Sequence, residues 1–396
     1  MIFQILDNKI ECVGYYSDGK IYKEDVGNGF TQTWDAGPNF LNDSVDYAKI
    51  YAGVDSIDDV PLPDHLHAEW KRTSKRMRAF LNSLNKAKVS LDDHCFYDLV
   101  PESFLIDFYE RKTEITKFIF ENFSKPSNYQ FLKEINLLLA KISGQALNLD
   151  RSKLNQRFMK RTEFTAVQKF LNCGDKINYN IFKSKTGRLS TQKNSFPILA
   201  FDKRFRQILK PHNHWFLELD FNANELRVLQ ALNGVEQPKE DIHEWNIKNV
   251  FKGVIERSDA KKRAFAWLYN PNSEDSAMSQ FYNKDKILSS YYKEGVITTP
   301  FGRKIVSDDF HALNYLIQST ASDVCLTQAL KVDNLLSGRK SKITAVVHDS
   351  VLIDYNEEDK DLLKELVRVY GETQLGDFKV NVSAGVNYGE MKELCR

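Results

Sequence analysis

The sequence predicts a mixed α+β protein. Three observations carry this. Residues 1 to about 60 alternate apolar and polar side chains, as in Lys9-Ile10-Glu11-Cys12-Val13-Gly14-Tyr15-Tyr16, the two-residue period of strands. Residues 102–123 and 129–142 place apolar side chains at helical spacing. Residues 215–221 and 343–354 are short apolar runs broken by acids, the pattern of buried strands.

Along the chain, Pro61-Leu62-Pro63-Asp64 reads as a turn or linker. Residues 70–88 read as a basic helix. Pro101 opens the next helix, with Phe104, Leu105, Phe108, Ile115, Phe118 and Ile119 near one face, and Ser143-Gly144 ends the one after it. The strand 215–221 ends in Asp220, Asn222 is placed to cap the next element, and residues 225–232 read as a helix. The run 343–354 reads as a β-hairpin with Asp349 near its tip.

Between those strands lies a patterned helix. Arg257, Lys261, Phe265 and Tyr269 stand four residues apart, so they form one stripe of roughly 18 Å at about 1.5 Å per residue. It reads cation, cation, aromatic, phenol, an order that suits a nucleoside triphosphate lying along the helix. Arg257 offers a planar fork for phosphate and Lys261 a point charge. Asp220 and Asp349 each sit beside an apolar strand. If those strands are neighbours, the carboxylates converge, and two divalent ions about 4 Å apart balance their charge in in-line phosphoryl transfer. Oxygen donors without a Cys or His cluster favour Mg²⁺ over Zn²⁺.

Composition narrows the class. With 396 residues, one or two domains are expected. The net charge is +1, so any nucleic-acid cleft is locally basic on a neutral protein. Lys183, Lys185, Arg188 and Lys193 form one basic cluster, and Lys203, Arg204, Arg206 and Lys210 another. No apolar run is long enough for a membrane span. The N-terminus carries no signal-peptide pattern. Cys12, Cys95, Cys173, Cys325 and Cys395 are scattered and read as reduced cytoplasmic thiols, without disulfide or zinc site.

These stretches together resemble the family A DNA polymerases. Residues 220–227 (DFNANELR) resemble motif A, residues 257–269 (RSDAKKRAFAWLY) motif B, the O-helix of the fingers, and residues 347–350 (VHDS) motif C. Four further stretches fit in order: TGRLS at 186–190, DIH at 241–243, FGR at 301–303 and NYLIQSTASD at 314–323. Seven ordered matches carry far more weight than any one.

The resemblance implies a right-hand architecture with palm, reduced fingers and helical thumb, plus a small β-rich N-terminal domain. Residues 1–95 would be that domain or an exonuclease remnant. Residues 96–180 would be thumb helices leading to the palm, 181–240 palm with motif A, 241–300 fingers with motif B, and 301–396 palm with motif C. It implies that Asp220, Asp349 and the Phe221 carbonyl bind two Mg²⁺ ions. Arg257, Lys261 and His243 would hold the triphosphate, with Lys261 also protonating the leaving pyrophosphate. Phe265 would pack on sugar and base, Tyr269 would close the pocket, and Glu225 would reject ribose. Arg188 and Gln318 would read the minor groove, while Asn314 and His348 would touch primer or template. The implied partners are primer–template DNA and dNTPs, with no membrane, and with a separate exonuclease or processivity factor as a further expectation.

The chain departs from the family pattern in places. Ala223 stands where Gln is common, Asn270-Pro271 follows the O-helix Tyr in place of Gly, and Ser350 stands where motif C carries Glu. The loop from Arg303 to Asn314 is short and lacks the usual Arg before Asn314. No Asp-x-Glu start or Tyr-x-x-x-Asp of a proofreading exonuclease is visible, and Asp46 and Asp55 read as isolated surface acids. The rivals are a single-subunit RNA polymerase, which Ser350 suits and Glu225 opposes, and a non-catalytic DNA-binding protein on a polymerase fold.

Overall fold

The computed structural model describes residues 1–6, 14–89, 91, 94–154, 167–168, 170–193, 195–270 and 272–395. Residues 9–13 of the first predicted strand, with Cys12, lie outside them, as does Pro271. The chain divides into two units: Met1–Ala146 with Asn178–Lys183, and Leu147–Ile177 with Ser184–Arg396. Among the described residues no helix is long and apolar enough to cross a membrane.

In the first unit, β1 (Gln4–Ile5), β2 (Tyr15–Ser17) and β3 (Lys20–Tyr22) form an antiparallel sheet. Three long helices accompany it among the described residues: α1 (Asp64–Lys86), α2 (Glu102–Asn122) and α3 (Tyr129–Ser143). α1 starts six residues ahead of the run predicted from sequence. Pro63, with φ −58, stands just before it, and Asp64 favours the positive end of the helix. Phe104, Leu105 and Tyr109 of α2 pack with Leu6, Tyr16 and Met77. The Tyr109 hydroxyl ties that face to the Leu6 carbonyl at 2.9 Å.

This unit also buries charge. Lys49 is 5% exposed and lies 2.9 Å from Asp35 and 3.1 Å from Asp55. A buried cation is tolerable only when paired in this way. Asp46 faces Lys125 and Lys133 at 3.7 and 3.8 Å. Asp46 and Asp55 are therefore structural ion-pair partners rather than isolated surface acids. Cys95 is disulfide-bonded, while Cys173 and Cys325 are free thiols. That corrects the expectation of reduced thiols throughout: spacing along the chain does not report which cysteines approach in space.

The second unit is built on one antiparallel sheet. Its elements are β4 (Trp215–Phe221), α4 (Asn224–Leu232), α5 (Ile242–Asn249), α6 (Arg257–Tyr269), α7 (Asp309–Leu335), β5 (Lys342–Val347), β6 (Ser350–Tyr355), α8 (Leu363–Gly371), β7 (Val380–Gly385) and β8 (Lys392–Cys395). The strand order is β5-β6-β4-β7-β8. Short helices Ser276–Phe281 and Lys284–Tyr291 and a small three-stranded sheet lie between α6 and α7.

β4 is the central strand, which explains its run of Phe216, Leu217, Leu219 and Phe221, all buried. Side chains 217, 219 and 221 share one face and 216, 218 and 220 the other. Phe221 stacks on Tyr370 of α8, with centroids 4.4 Å apart and planes at 17°. The helical layer thus covers the Phe221 face and leaves Glu218 and Asp220 on the opposite one. Gln328 of the largely buried α7 donates to the carbonyls of Val369, Tyr370 and Glu372 at 2.5–3.1 Å, which pins α8 to α7.

Candidate active site

Asp220 stands opposite Ser350 in the β4–β6 register. β5 and β6 are joined by the two residues His348 and Asp349, and His348 has φ 57, the left-handed conformation that a tight hairpin requires. The Phe221 N–H donates to the Asp349 carbonyl at 3.2 Å, and the Tyr370 hydroxyl donates to the same oxygen at 2.9 Å. The two aspartates predicted from sequence are thereby brought together. Burial, reinforced by the charge of Asp349, pushes the Asp220 carboxyl up to about 7. Burial also raises Asp349. Asn381 Nδ2 donates to Asp220 Oδ2 at 3.2 Å.

A pair of raised carboxylates attracts a cation. Among the described residues no group of three or more His, Cys, Asp or Glu side chains is arranged to hold a metal alone. That donor set does not suit a structural Zn²⁺. It does suit Mg²⁺, which is held by one or two carboxylates and completes its shell with water and substrate phosphates.

Next to Asp220 the chain turns sharply. Ala223 has φ 53 and is the N-cap of α4, with no side-chain cap. Asn222 does not cap α4, contrary to the sequence expectation. Its carboxamide instead donates to Asp241 Oδ2 at 2.9 Å and accepts from the Ile242 N–H at 3.0 Å. The left-handed Ala223 swings Asn222 away from α4 and toward α5. Glu225, in the first turn of α4, receives hydrogen bonds from Arg188 and from the Tyr269 hydroxyl. Burial raises its carboxyl, and Arg188 opposes that shift.

The stripe on α6 holds as a stripe. The core-facing residues of this helix are Ala260, Ala264, Trp267 and Leu268, so Phe265 and Tyr269 lie off the core face. Their rings stack at 5.8 Å and 12°. Lys261 Nζ lies 6.0 Å from the Phe265 centroid. Arg257 Nη2 donates to Asp241 Oδ2 at 2.8 Å. His243 in α5 lies 6.3 Å from Phe265, centroid to centroid. Its Nδ1 is buried without a partner, and burial lowers its pKa to about 4, so the ring is neutral at pH 7.

Three of the ordered sequence stretches meet at one ion pair. Arg303 makes a forked pair with Asp323 at 2.6 and 3.2 Å, and Asp323 is fully buried. Gly187 has φ 72, and a Cβ there would lie 2.4 Å from the Arg303 guanidinium carbon. Glycine is thus required by both conformation and contact. Ser322 Oγ donates to the Gly187 carbonyl at 3.1 Å. This assembly presents Arg188 toward Glu225. Asn314 and Gln318 are one turn apart on α7, with Gln318 Nε2 donating to Asn314 Oδ1 at 2.5 Å. His348 Nε2 lies 3.1 Å from the Leu199 carbonyl.

Sequence reasoning gave no role to Asp241, Arg303, Asp323 or Glu218. Asp241 stood only as the first residue of the DIH stretch, and in the structure it is the N-cap of α5. Arg303 and Asp323 stood within the FGR and NYLIQSTASD stretches and Glu218 within an apolar run, and none of these local patterns reveals a partner.

Comparison with known proteins bears on this geometry. No protein-family model matches the chain. It is 26% identical over 263 residues to a DNA polymerase I of Caldicellulosiruptor bescii, covering 52% of this chain and 31% of that protein. It is 25% identical over 249 residues to a DNA polymerase of Mycobacterium phage D29, covering 52% of this chain and 41% of that one. The chain is similar in sequence to these DNA polymerases. A second DNA polymerase I, from Borreliella burgdorferi, is 25% identical over 267 residues, 53% of this chain and 29% of its own. The chain spans about a third of the length of the curated proteins it matches. Its fold is similar to the POL domain of Pol1 from M. smegmatis in complex with DNA primer-template and dNTP. That match has a TM-score of 0.57 and 14% identity, and covers 73% of this chain and 76% of the other.

Proposed function

We propose that the chain is a template-directed DNA polymerase that extends a primer 3′-hydroxyl with dNTPs. The observation that carries the reading is the convergence of Asp220, on the central strand, and Asp349, in the turn of the hairpin whose second strand pairs with it. Two Mg²⁺ ions, held by those carboxylates and the Phe221 carbonyl, would stabilise the entering and leaving oxygens of an in-line displacement.

The side chains do the rest. Arg257 and Lys261 hold the triphosphate, and neutral His243 adds a hydrogen bond to it. Lys261 gives its proton to the departing pyrophosphate. Phe265 lies against sugar and base, and Tyr269 closes the pocket. Glu225 occupies the space of a ribose 2′-hydroxyl, supported by its links to Tyr269 and Arg188. Arg188 and Gln318 face the minor-groove edge, and Asn314 and His348 touch primer or template. Palm, reduced fingers and thumb carry these groups as in the family.

The proposal extends to synthesis without proofreading by this chain. Asp35, Asp46 and Asp55 are engaged with lysines rather than free for a second metal centre.

The test is primer extension with Mg²⁺, comparing dNTPs with rNTPs. Extension with dNTPs alone supports the reading. Efficient use of rNTPs transfers it to a single-subunit RNA polymerase, the alternative that Ser350 favours. No extension despite DNA binding overturns it in favour of a non-catalytic protein on this fold.

A further inference from the structure

The carboxylate of Glu218 has no place in the proposal above. It lies two residues before Asp220, so both side chains leave the same face of β4. Ser350, directly opposite Asp220, places its Oγ 3.2 Å from Glu218 Oε1 and 3.0 Å from the Val347 carbonyl. The Tyr388 hydroxyl lies 3.4 Å from the same Oε1. Among the described residues Glu218 makes no ion pair within 4.0 Å. Arg206, the cation of this neighbourhood, lies over the Tyr388 ring at 4.5 Å and donates to the Phe201 carbonyl. A mostly buried acid beside two others costs folding energy unless a cation offsets the charge.

We propose that Glu218 is a positioning residue of the aspartate centre. It supplies, from β4, the outer carboxylate that the residue after Asp349 does not, because Ser350 stands there. The inference rests on the reading of Asp220 and Asp349 as the cation-binding pair. Glu218 is not itself a ligand. It adds its negative field to the pair, and its contact with Ser350 fixes the first residue after the hairpin turn that carries Asp349. Such outer partners typically tune metal affinity by about 10- to 100-fold.

The experiment is Mn²⁺ titration of the full chain, without DNA or nucleotide, read by electron paramagnetic resonance of the free ion. Metal-free melting temperatures are measured alongside. Glu218→Gln keeps shape and hydrogen bonding and removes the charge. Its affinity is expected to fall about 10-fold or more, with no loss of metal-free melting temperature. The double variant Glu218→Gln with Ser350→Glu, which returns a carboxylate to the same place, is expected to recover it. A purely structural Glu218 would instead lower the melting temperature and leave Mn²⁺ affinity unchanged, and that result overturns the proposal. Ser350→Glu alone is an independent check: it is expected to tighten Mn²⁺ binding, and unchanged affinity counts equally against the idea. Asp349→Asn, run in parallel, separates the two levels. If it too leaves Mn²⁺ binding intact, the aspartate centre itself is misread. If only Glu218→Gln is silent, Glu218 alone is.

Discussion

Arg257 is tied to Asp241 by a 2.8 Å hydrogen-bonded ion pair, and the other oxygen of Asp241 caps α5 through the N–H groups of His243 and Glu244 at 2.9 and 3.1 Å. Asn222 also donates to this carboxylate. One side chain therefore joins the cationic end of the α6 stripe, the start of α5 and the strand end beside Asp220. Burial alone would raise its carboxyl. Arg257, Asn222 and the Glu244 N–H hold it well below the usual range instead.

Removing that carboxylate separates its duties. Asp241→Ala is expected to destabilise the chain by about 1–2 kcal/mol, the usual cost of a lost N-cap. Asp241→Asn keeps the cap acceptor and loses the half-exposed ion pair and the hydrogen bond from Asn222, both of which Asp241→Ala loses as well, so its cost is expected to be smaller. Urea unfolding of the two variants decides the matter; equal losses would mean the cap is not what Asp241 contributes.

Acid stability should report His243. Its folded pKa is about 4, below the ordinary value near 6.5. Between those values the unfolded chain binds a proton at this ring that the folded chain refuses, so the His243 contribution to stability falls as pH falls from about 6.5 to 4, while the Asp220 carboxyl, raised to about 7, contributes in the opposite sense over the same range. The depressed carboxyl of Asp241 adds a further loss once pH drops below the ordinary Asp value of about 3.9. The melting temperature of His243→Asn minus that of the parent chain should therefore rise as pH falls across this range. An identical slope would show that His243 is not the group responsible.

Glu225→Ala should admit ribonucleotides. Its carboxylate is held by both Tyr269 and Arg188, which fixes its position for the proposed role against the sugar. The ratio of kcat/KM for dNTP over rNTP is expected to fall by about 10-fold or more, as each 1.4 kcal/mol of lost discrimination is tenfold. Unmoved selectivity would remove Glu225 as the gate.

Arg227 tests the frame behind the site. It is fully buried and donates to the carbonyls of Asn222, Pro238 and Glu240 at 2.8–2.9 Å. Burial lowers its pKa to about 10, so it remains charged at pH 7. Arg227→Leu orphans those carbonyls at about 1–3 kcal/mol each. A melting temperature lower by roughly 6 °C or more is expected, at about 2–4 °C per kcal/mol for domains of about 150–250 residues. A near-neutral result would mean that water replaces the guanidinium.

Much of this site is legible in the sequence. The hairpin around Asp349, the strand ending in Asp220 and the α6 stripe are local patterns of period 2 or 3.6, and the structure contains each element. The partner of Asn222 is not, because Ala223 in the left-handed region redirects a chain that otherwise carries an ordinary cap signal. Glu218 reads only as one polar residue in an apolar strand, since nothing local says that Ser350 lies across from its neighbour.

Periodicity and motif spacing by themselves determined which residues share a face of a strand or helix, and hence the candidate carboxylates and the nucleotide stripe. Only the tertiary structure decided which faces meet: Asp220 beside Asp349, Arg257 on Asp241, Glu225 between Arg188 and Tyr269, and Arg303 on Asp323 beneath Gly187. The reason is physical. Local backbone sterics and side-chain period act within a few residues. The pairing of distant strands and helices comes from packing the whole core, to which every segment contributes.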